Sequence, residues 1–400
     1  MELYLQFGHG MMGHCRELLG SWGGGTVVLS PRDLDPDRLP TFAGEVNGIT
    51  NSQVLVDPQF YLPHSNHDRL CSHEFWPDDY ETQLFWQGQP LTDLLSALLT
   101  LNQSCGTQQF ILPGILATEV DDDWIAMQRA FLDGGASIAD GMPLLTTIAL
   151  SSDVTRDENQ VAALLEAAEN WDTHGCYLVC EHPGGYLVED PNWLANVLDI
   201  VAGLRLQGKE VVVGYANHQL LAAAAVKATA ICSGTWMNVR SFPPEKFQIS
   251  PEDEVRRKAT WYYCPQALSE YKRPFLDIAS RQGLLESMRT DAAIDGGYAD
   301  MLFSGAQPST TDFGEQAAFR HYLHTLHEQV GLSGAATFDD TVRAHEVTLD
   351  SAENLLATLS AGGVRGQLRD FSEIIDVNRA AISLVTSTRG AMLRRRWASL

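Results

Sequence analysis

Residues 209–240, KEVVVGYANHQLLAAAAVKATAICSGTWMNVR, admit few folds. The run 210–215 is almost unbroken apolar sequence with three valines, the pattern of a strand buried on both faces. Ala216, Asn217 and His218 interrupt it. The run 219–227 is rich in Leu and Ala and ends in Lys227, which predicts a short buried helix. Residues 228–232 are apolar again and stop at Ser233-Gly234-Thr235. Two strands joined by a helix lie parallel, with the helix packed across them. The polar residues then collect at the carboxyl ends of the strands, where such folds hold ligands.

The unit recurs. Strand-like runs at 3–8, 26–29, 53–56, 108–115, 144–150 and 175–180 precede these two. Helical patterns fall between them at 11–19, 36–46, 90–101, 124–132, 157–171 and 191–206, and a helix over 273–288 is expected to cover strand eight. Eight strands over roughly 280 residues match the (β/α)8 TIM-type barrel. The open doubly wound sheet competes, but FGHGMMG lacks the GxGxxG fingerprint of its first turn. The expectation is therefore an α/β chain: a barrel domain over 1–300, then an all-α C-terminal extension over 301–400 with helices at 313–331, 349–362 and 371–396.

Composition narrows the partners. The net charge is −24 over 400 residues. That disfavours nucleic acid on the surface at large without excluding it, and leaves room for a small basic pocket that holds one anionic ligand. Only the tail from Arg389 to Arg396 is plainly basic. Mean hydropathy is −0.12. No apolar run approaches the roughly 18 residues of a membrane span, and no signal peptide is evident. Seven cysteines without a CxxC point to free thiols in a reducing, cytoplasmic compartment.

The strand ends supply the candidate site. Asp57, Gln59 and Tyr61 share one face with Leu55, whereas Val54, Val56 and Phe60 share the other, so the polar trio is expected to point into the barrel mouth. The alternative is an Asp-Pro turn capped by its own carboxylate. Glu181 and His182 are neighbours, so one faces the mouth and the other the surrounding shell. A buried Glu181 needs a partner such as Arg32 or His218, unless it only anchors the turn 183–185. Ser233, Thr235, Arg240 and the Gly234 N–H form a candidate anion cradle, with an ion pair from Arg240 to Glu245 or Glu270 as its rival. Asn217 joins Gln59 and Tyr61 as a candidate for orienting substrate.

His64, His67, Cys71 and His73, near Trp76 and Asp78-Asp79, lack the spacing of a zinc site and read as a solvated or lid-like loop. The aromatic run 261–265, with Tyr271, either walls a pocket or packs the barrel against the extension. No GxSxG, Walker A or HExxH motif occurs, and the sequence leaves the cofactor unknown. The expected function is a barrel enzyme, a hydrolase or a glycosyl or base-exchange transferase acting on a small polar, phosphorylated or nucleoside-like substrate. Asp57 and Glu181 would be its paired carboxylates, with His182 beside them. The alternatives are a non-catalytic scaffold that docks a protein partner through the helical extension, or a transglycosylase-like protein that modifies nucleic acid.

Overall fold

The computed structural model describes residues 1–77, 85–248 and 259–400. Asp78 and Asp79 lie outside the described residues. The first strands and helices alternate: β1 (Glu2–Gln6), α1 (Met12–Trp22), β2 (Gly25–Leu29), α2 (Arg38–Asn47), β3 (Ser52–Val56) and α3 (Gly88–Cys105). Then come β4 (Phe110–Ile111), β5 (Leu116–Ala117), α4 (Asp122–Ile138), β6 (Leu144–Leu150), α5 (Ser152–Arg156) and α6 (Glu158–Ala168). They are followed by β7 (Gly175–Cys180), α7 (Pro191–Leu206), β8 (Glu210–Val213) and β9 (Ala230–Ser233).

These strands form one parallel sheet in the order β3-β2-β1-β9-β8-β7-β6-β4, with β5 beside β6. The sheet curls into a half-barrel. The expected closure of the barrel is not shown: among the described residues no ladder joins β3 to β4. Pro113 has no N–H to give a ladder, and Gly114 is pressed so closely to Thr147 that an added Cβ would lie 2.6 Å from its carbonyl oxygen. The run 108–115 therefore keeps only the short β4, and β5 follows just beyond it. A backbone bond from Leu116 N–H to the Tyr61 carbonyl, 2.9 Å, spans that side instead.

The two faces of the sheet have separate cores. Leu55, Tyr61, Tyr177, Val179, Val212 and Tyr215 pack in the inner cluster, under Phe242 and Phe247. Val54, Val56, Phe60, Leu178 and Val213 pack outside, against the helices. The strands are buried on both sides, which is why they read as continuous apolar runs. Several outer helices start on side-chain caps, Asp121 for α4, Asp157 for α6 and Asp190 for α7.

The expected short buried helix is present over 218–226, wound as a 3-10 helix. It rises ~2.0 Å per residue against ~1.5 Å for an α-helix. It thus crosses from β8 to β9 as a slim rod with all of its residues buried. Residues 261–272, read as a pocket wall or packing segment, form an antiparallel hairpin of β10 (Trp261–Cys264) and β11 (Ser269–Lys272). Leu268 turns it with φ 49.

The helix expected over 273–288 is α8 (Arg273–Arg281), and it lies against β11. The helix that rests on β1 and α1 is α9 (Glu315–Leu332). Its His321 ring stacks on Tyr262 at 4.9 Å, and His321 Nε2 meets the Tyr263 carbonyl at 2.8 Å. The chain ends in α10 (Phe338–Ala361), α11 (Ile375–Thr388) and α12 (Gly390–Arg396), with α11 packed along α7. No helix among the described residues is long and apolar enough to cross a membrane. All seven cysteines are free.

Candidate functional site

Asp57 follows β3 inside the half-barrel with no exposed surface. Strand alternation from Leu55 carries it inward, as the sequence pattern requires. Its carboxylate sits among three tyrosines. Tyr61 Oη is 2.8 Å from both carboxylate oxygens, Tyr215 donates to Oδ2 at 2.7 Å, and Tyr177 Oη lies 3.4 Å from Oδ2. The Gln59 N–H donates to Oδ1 at 2.9 Å. Burial pushes the Asp57 carboxyl up to about 6, against the pull of these hydrogen bonds. The hydroxyls of Tyr61, Tyr177 and Tyr215 are held far above the usual phenol range, by burial first and then by the Asp57 charge.

Gln59 supports this group from the side. Its Nε2 donates to Tyr215 Oη at 3.0 Å and to Ser30 Oγ at 2.9 Å, and its Oε1 accepts the Arg32 N–H at 2.9 Å. Gln59 and Tyr215 both have left-handed backbone, φ 54 and φ 53. Non-glycine residues hold that conformation only where their surroundings over-determine it. Arg32 is buried, and its guanidinium lies 5.3 Å from the centre of the Phe247 ring. Phe242 and Phe247 cover the tyrosines, at 4.9 and 5.0 Å from the Tyr61 ring.

Glu181 and His182 separate as adjacent strand residues must. Glu181 continues the inward face of Tyr177 and Val179. It is half-buried, and its Oε2 accepts the Ser152 N–H at 2.8 Å, at the start of α5. That partner is backbone, not the Arg32 or His218 expected from the sequence. His182 faces outward, edge-on to Trp193 of α7 at 5.0 Å, with Nδ1 3.3 Å from the Tyr186 carbonyl. Burial brings its ring down to about 4. The structure therefore does not bring His182 to Asp57.

The remaining predicted residues serve other contacts. Asn217 Oδ1 accepts the Gln219 N–H at 2.9 Å and caps the 3-10 coil, while its Nδ2 donates to the Tyr186 carbonyl at 2.8 Å. His218 lies among Tyr186, Tyr263, Tyr322 and Phe371, outside the inner cluster. At the predicted cradle, 233–240, a cavity of about 50 Å³ remains beside Thr235, but its arginine is bonded within the protein. Arg240 Nε donates to the Gly234 carbonyl at 2.8 Å, its Nη1 reaches Glu270 at 3.3 Å, and its guanidinium lies 3.4 Å from the centre of the Tyr322 ring. Gly234 backs onto β1 so tightly that a Cβ there would collide with the Gln6 carbonyl oxygen. Ser233 and Thr235 are buried beside it. Arg369 completes the pair, with Nη1 2.7 Å from Glu270 Oε2. Burial alone would raise the Glu270 carboxyl, but Arg369 and then Arg240 hold it at about 2. The ion-pair alternative is the one present, through Glu270.

In the 62–88 loop, His73 Nε2 lies 3.0 and 2.9 Å from the Pro31 and Leu34 carbonyls, and the Cys71 thiol meets the Ser65 carbonyl at 3.2 Å. No cluster of three or more metal-binding side chains occurs among the described residues.

Sequence reasoning missed Tyr177, Tyr215 and Ser30. Their signal was present: a lone tyrosine in GCYLVC and another in VGYAN are polar-tipped residues within apolar strands. The chain matches no protein-family model and no curated protein.

Proposed function

We propose that this chain is an enzyme whose reaction centre is Asp57, used as a proton donor and acceptor for a small polar substrate at the carboxyl ends of the strands. The observation that carries the reading is a buried carboxylate, raised to about 6 and held by three tyrosines. A group titrating near neutral pH is suited to general acid–base work. Two strained backbone positions, Gln59 and Tyr215, frame it.

Cleavage or exchange of a glycosidic bond fits best, which makes the chain a hydrolase or glycosyl transferase. Asp57 holds the proton in a dry setting, and Glu181, half-buried on the same inward face, supplies a carboxylate in a wetter one. Two carboxyl groups in unlike environments divide acid and base roles between them. Arg32, buried beside Phe247 with Nε 3.9 Å from Asp33 Oδ2, provides positive charge for a phosphorylated substrate that displaces Asp33. Substrate reaches Asp57 when the 242–247 segment swings aside, because Phe242 and Phe247 cover Tyr61 and Tyr215.

The same covering favours a second reading, a non-catalytic scaffold whose helical C-terminal part docks a protein partner. A panel of nitrophenyl glycosides and nucleosides, assayed with the wild type and Asp57→Asn, separates the two. Turnover that is lost in Asp57→Asn, with folding intact, supports catalysis. Absence of turnover in the wild type, with Asp57→Asn less stable at neutral pH, assigns the carboxylate to the fold.

A further inference from the structure

A second cavity lies away from Asp57, between the 218–226 coil, the β10–β11 turn, the end of α9 and one face of α10. Its volume is about 170 Å³. Leu221, Leu268, Leu332 and Phe371 give it apolar walls, Gln329, Ser333 and Thr348 add neutral polar groups, and no Asp, Glu, Lys or Arg lines it. Two histidines face into it, His218 from the coil and His345 from α10.

The histidines are the informative part. His218 is 1% exposed, and neither of its ring nitrogens has a hydrogen-bond partner. The Leu268 carbonyl favours the protonated ring from outside good hydrogen-bond geometry. His345 is half-buried, yet its Nε2 is enclosed and also without a partner. A buried ring nitrogen left unbonded costs about 1–3 kcal/mol. Three of them, on two rings at one largely apolar cavity, mark a place where a ligand supplies the missing bonds. Burial lowers the basicity of both rings, so each is neutral at pH 7 and offers one donor and one acceptor.

We infer that this cavity is a binding site for a small neutral aromatic alcohol, a single-ring phenol, whose hydroxyl bonds to the imidazoles while its ring fills the apolar walls. The size agrees: a cavity of about 150 Å³ lined by aliphatic and aromatic side chains takes up benzene. A carboxylate fits poorly, because no cation lines the wall to offset its burial. The site is separate from Asp57 and does not depend on the proposed reaction.

The test is calorimetric titration of the full chain with 4-methylphenol, 4-methylbenzoate and toluene. The expected result is saturable binding of 4-methylphenol, with toluene and 4-methylbenzoate each weaker by about tenfold or more. Ala344→Trp, at an exposed position lining the cavity, is expected to abolish binding with an unchanged melting temperature. His345→Leu is expected to weaken 4-methylphenol about tenfold while sparing toluene. No saturable binding of 4-methylphenol would mean that the cavity holds water only and would overturn the inference. So would equal binding of 4-methylbenzoate, or binding that persists in Ala344→Trp. Should His345→Leu fail to fold, the Ala344→Trp titration still decides.

Discussion

Gln59 Nε2 donates a hydrogen bond to Tyr215 Oη at 3.0 Å, although the two residues are 156 positions apart in the chain. Each also holds Asp57, Gln59 through its N–H and Tyr215 through its hydroxyl. Both sit in left-handed backbone. Such conformations cost of order 1 kcal/mol or more each. The two strained turns and the buried carboxylate thus form one unit, in which local stability is given up for a fixed geometry.

The first prediction concerns the charge on Asp57. Its folded value, about 6, lies above the unfolded value of 3.8. The native state therefore binds the proton more tightly, and this stabilisation is fully present below pH 3.8 and lost as pH rises through 6. The loss is about 3 kcal/mol. Denaturant titrations of wild type and Asp57→Asn from pH 4 to 7 are expected to show the variant gaining about 2 kcal/mol of this relative to wild type. A constant difference across the range would show that the carboxyl is not raised.

Tyr215→Phe removes the shortest hydrogen bond to Asp57 and leaves the ring packing in place. The Asp57 carboxyl should rise by a further pH unit or so, since a lost bond to a charged group is worth about 1.5–3 kcal/mol. Carbon-13 NMR of the labelled carboxyl measures this. An unchanged titration would remove Tyr215 from the unit.

Glu270 behaves in the opposite sense. Its folded value, about 2, lies below the unfolded 4.5. Its stabilisation is complete above pH 4.5 and is lost as pH falls through 2. Glu270→Gln leaves Arg240 buried without its counter-charge, and should destabilise the fold by about 3–5 kcal/mol at pH 7. Arg240→Lys should cost less, because the charge remains while the fork is lost. Equal melting of all three chains would contradict the buried pair.

Gly234→Ala tests the closed loop after β9. The added Cβ would collide with the Gln6 carbonyl oxygen and meet Val239 Cγ2 at 2.5 Å. Both neighbours belong to packed backbone and core, so a loss of about 1–3 kcal/mol is expected. A melting temperature equal to wild type would indicate an open loop with room for an anion.

The sequence by itself determined the strands and their faces. All eight apolar runs contain strands, because residues buried on both sides of a sheet must be apolar throughout. The period of two placed Asp57 and Tyr61 inward and Phe60 outward, and set Glu181 and His182 on opposite sides. These are local properties of a pleated chain, legible from neighbours one or two positions away. What only the tertiary structure decided is which residues meet. Tyr177 and Tyr215 come to Asp57 from strands across the half-barrel. Glu270 of the hairpin takes up both Arg240 and, from the C-terminal region, Arg369. His218 and His345 line one cavity from segments far apart in the chain. Such partners are chosen by the curl of the sheet and the docking of α9 and α10, which depend on shape matched over the whole core and leave no spacing in the sequence to read.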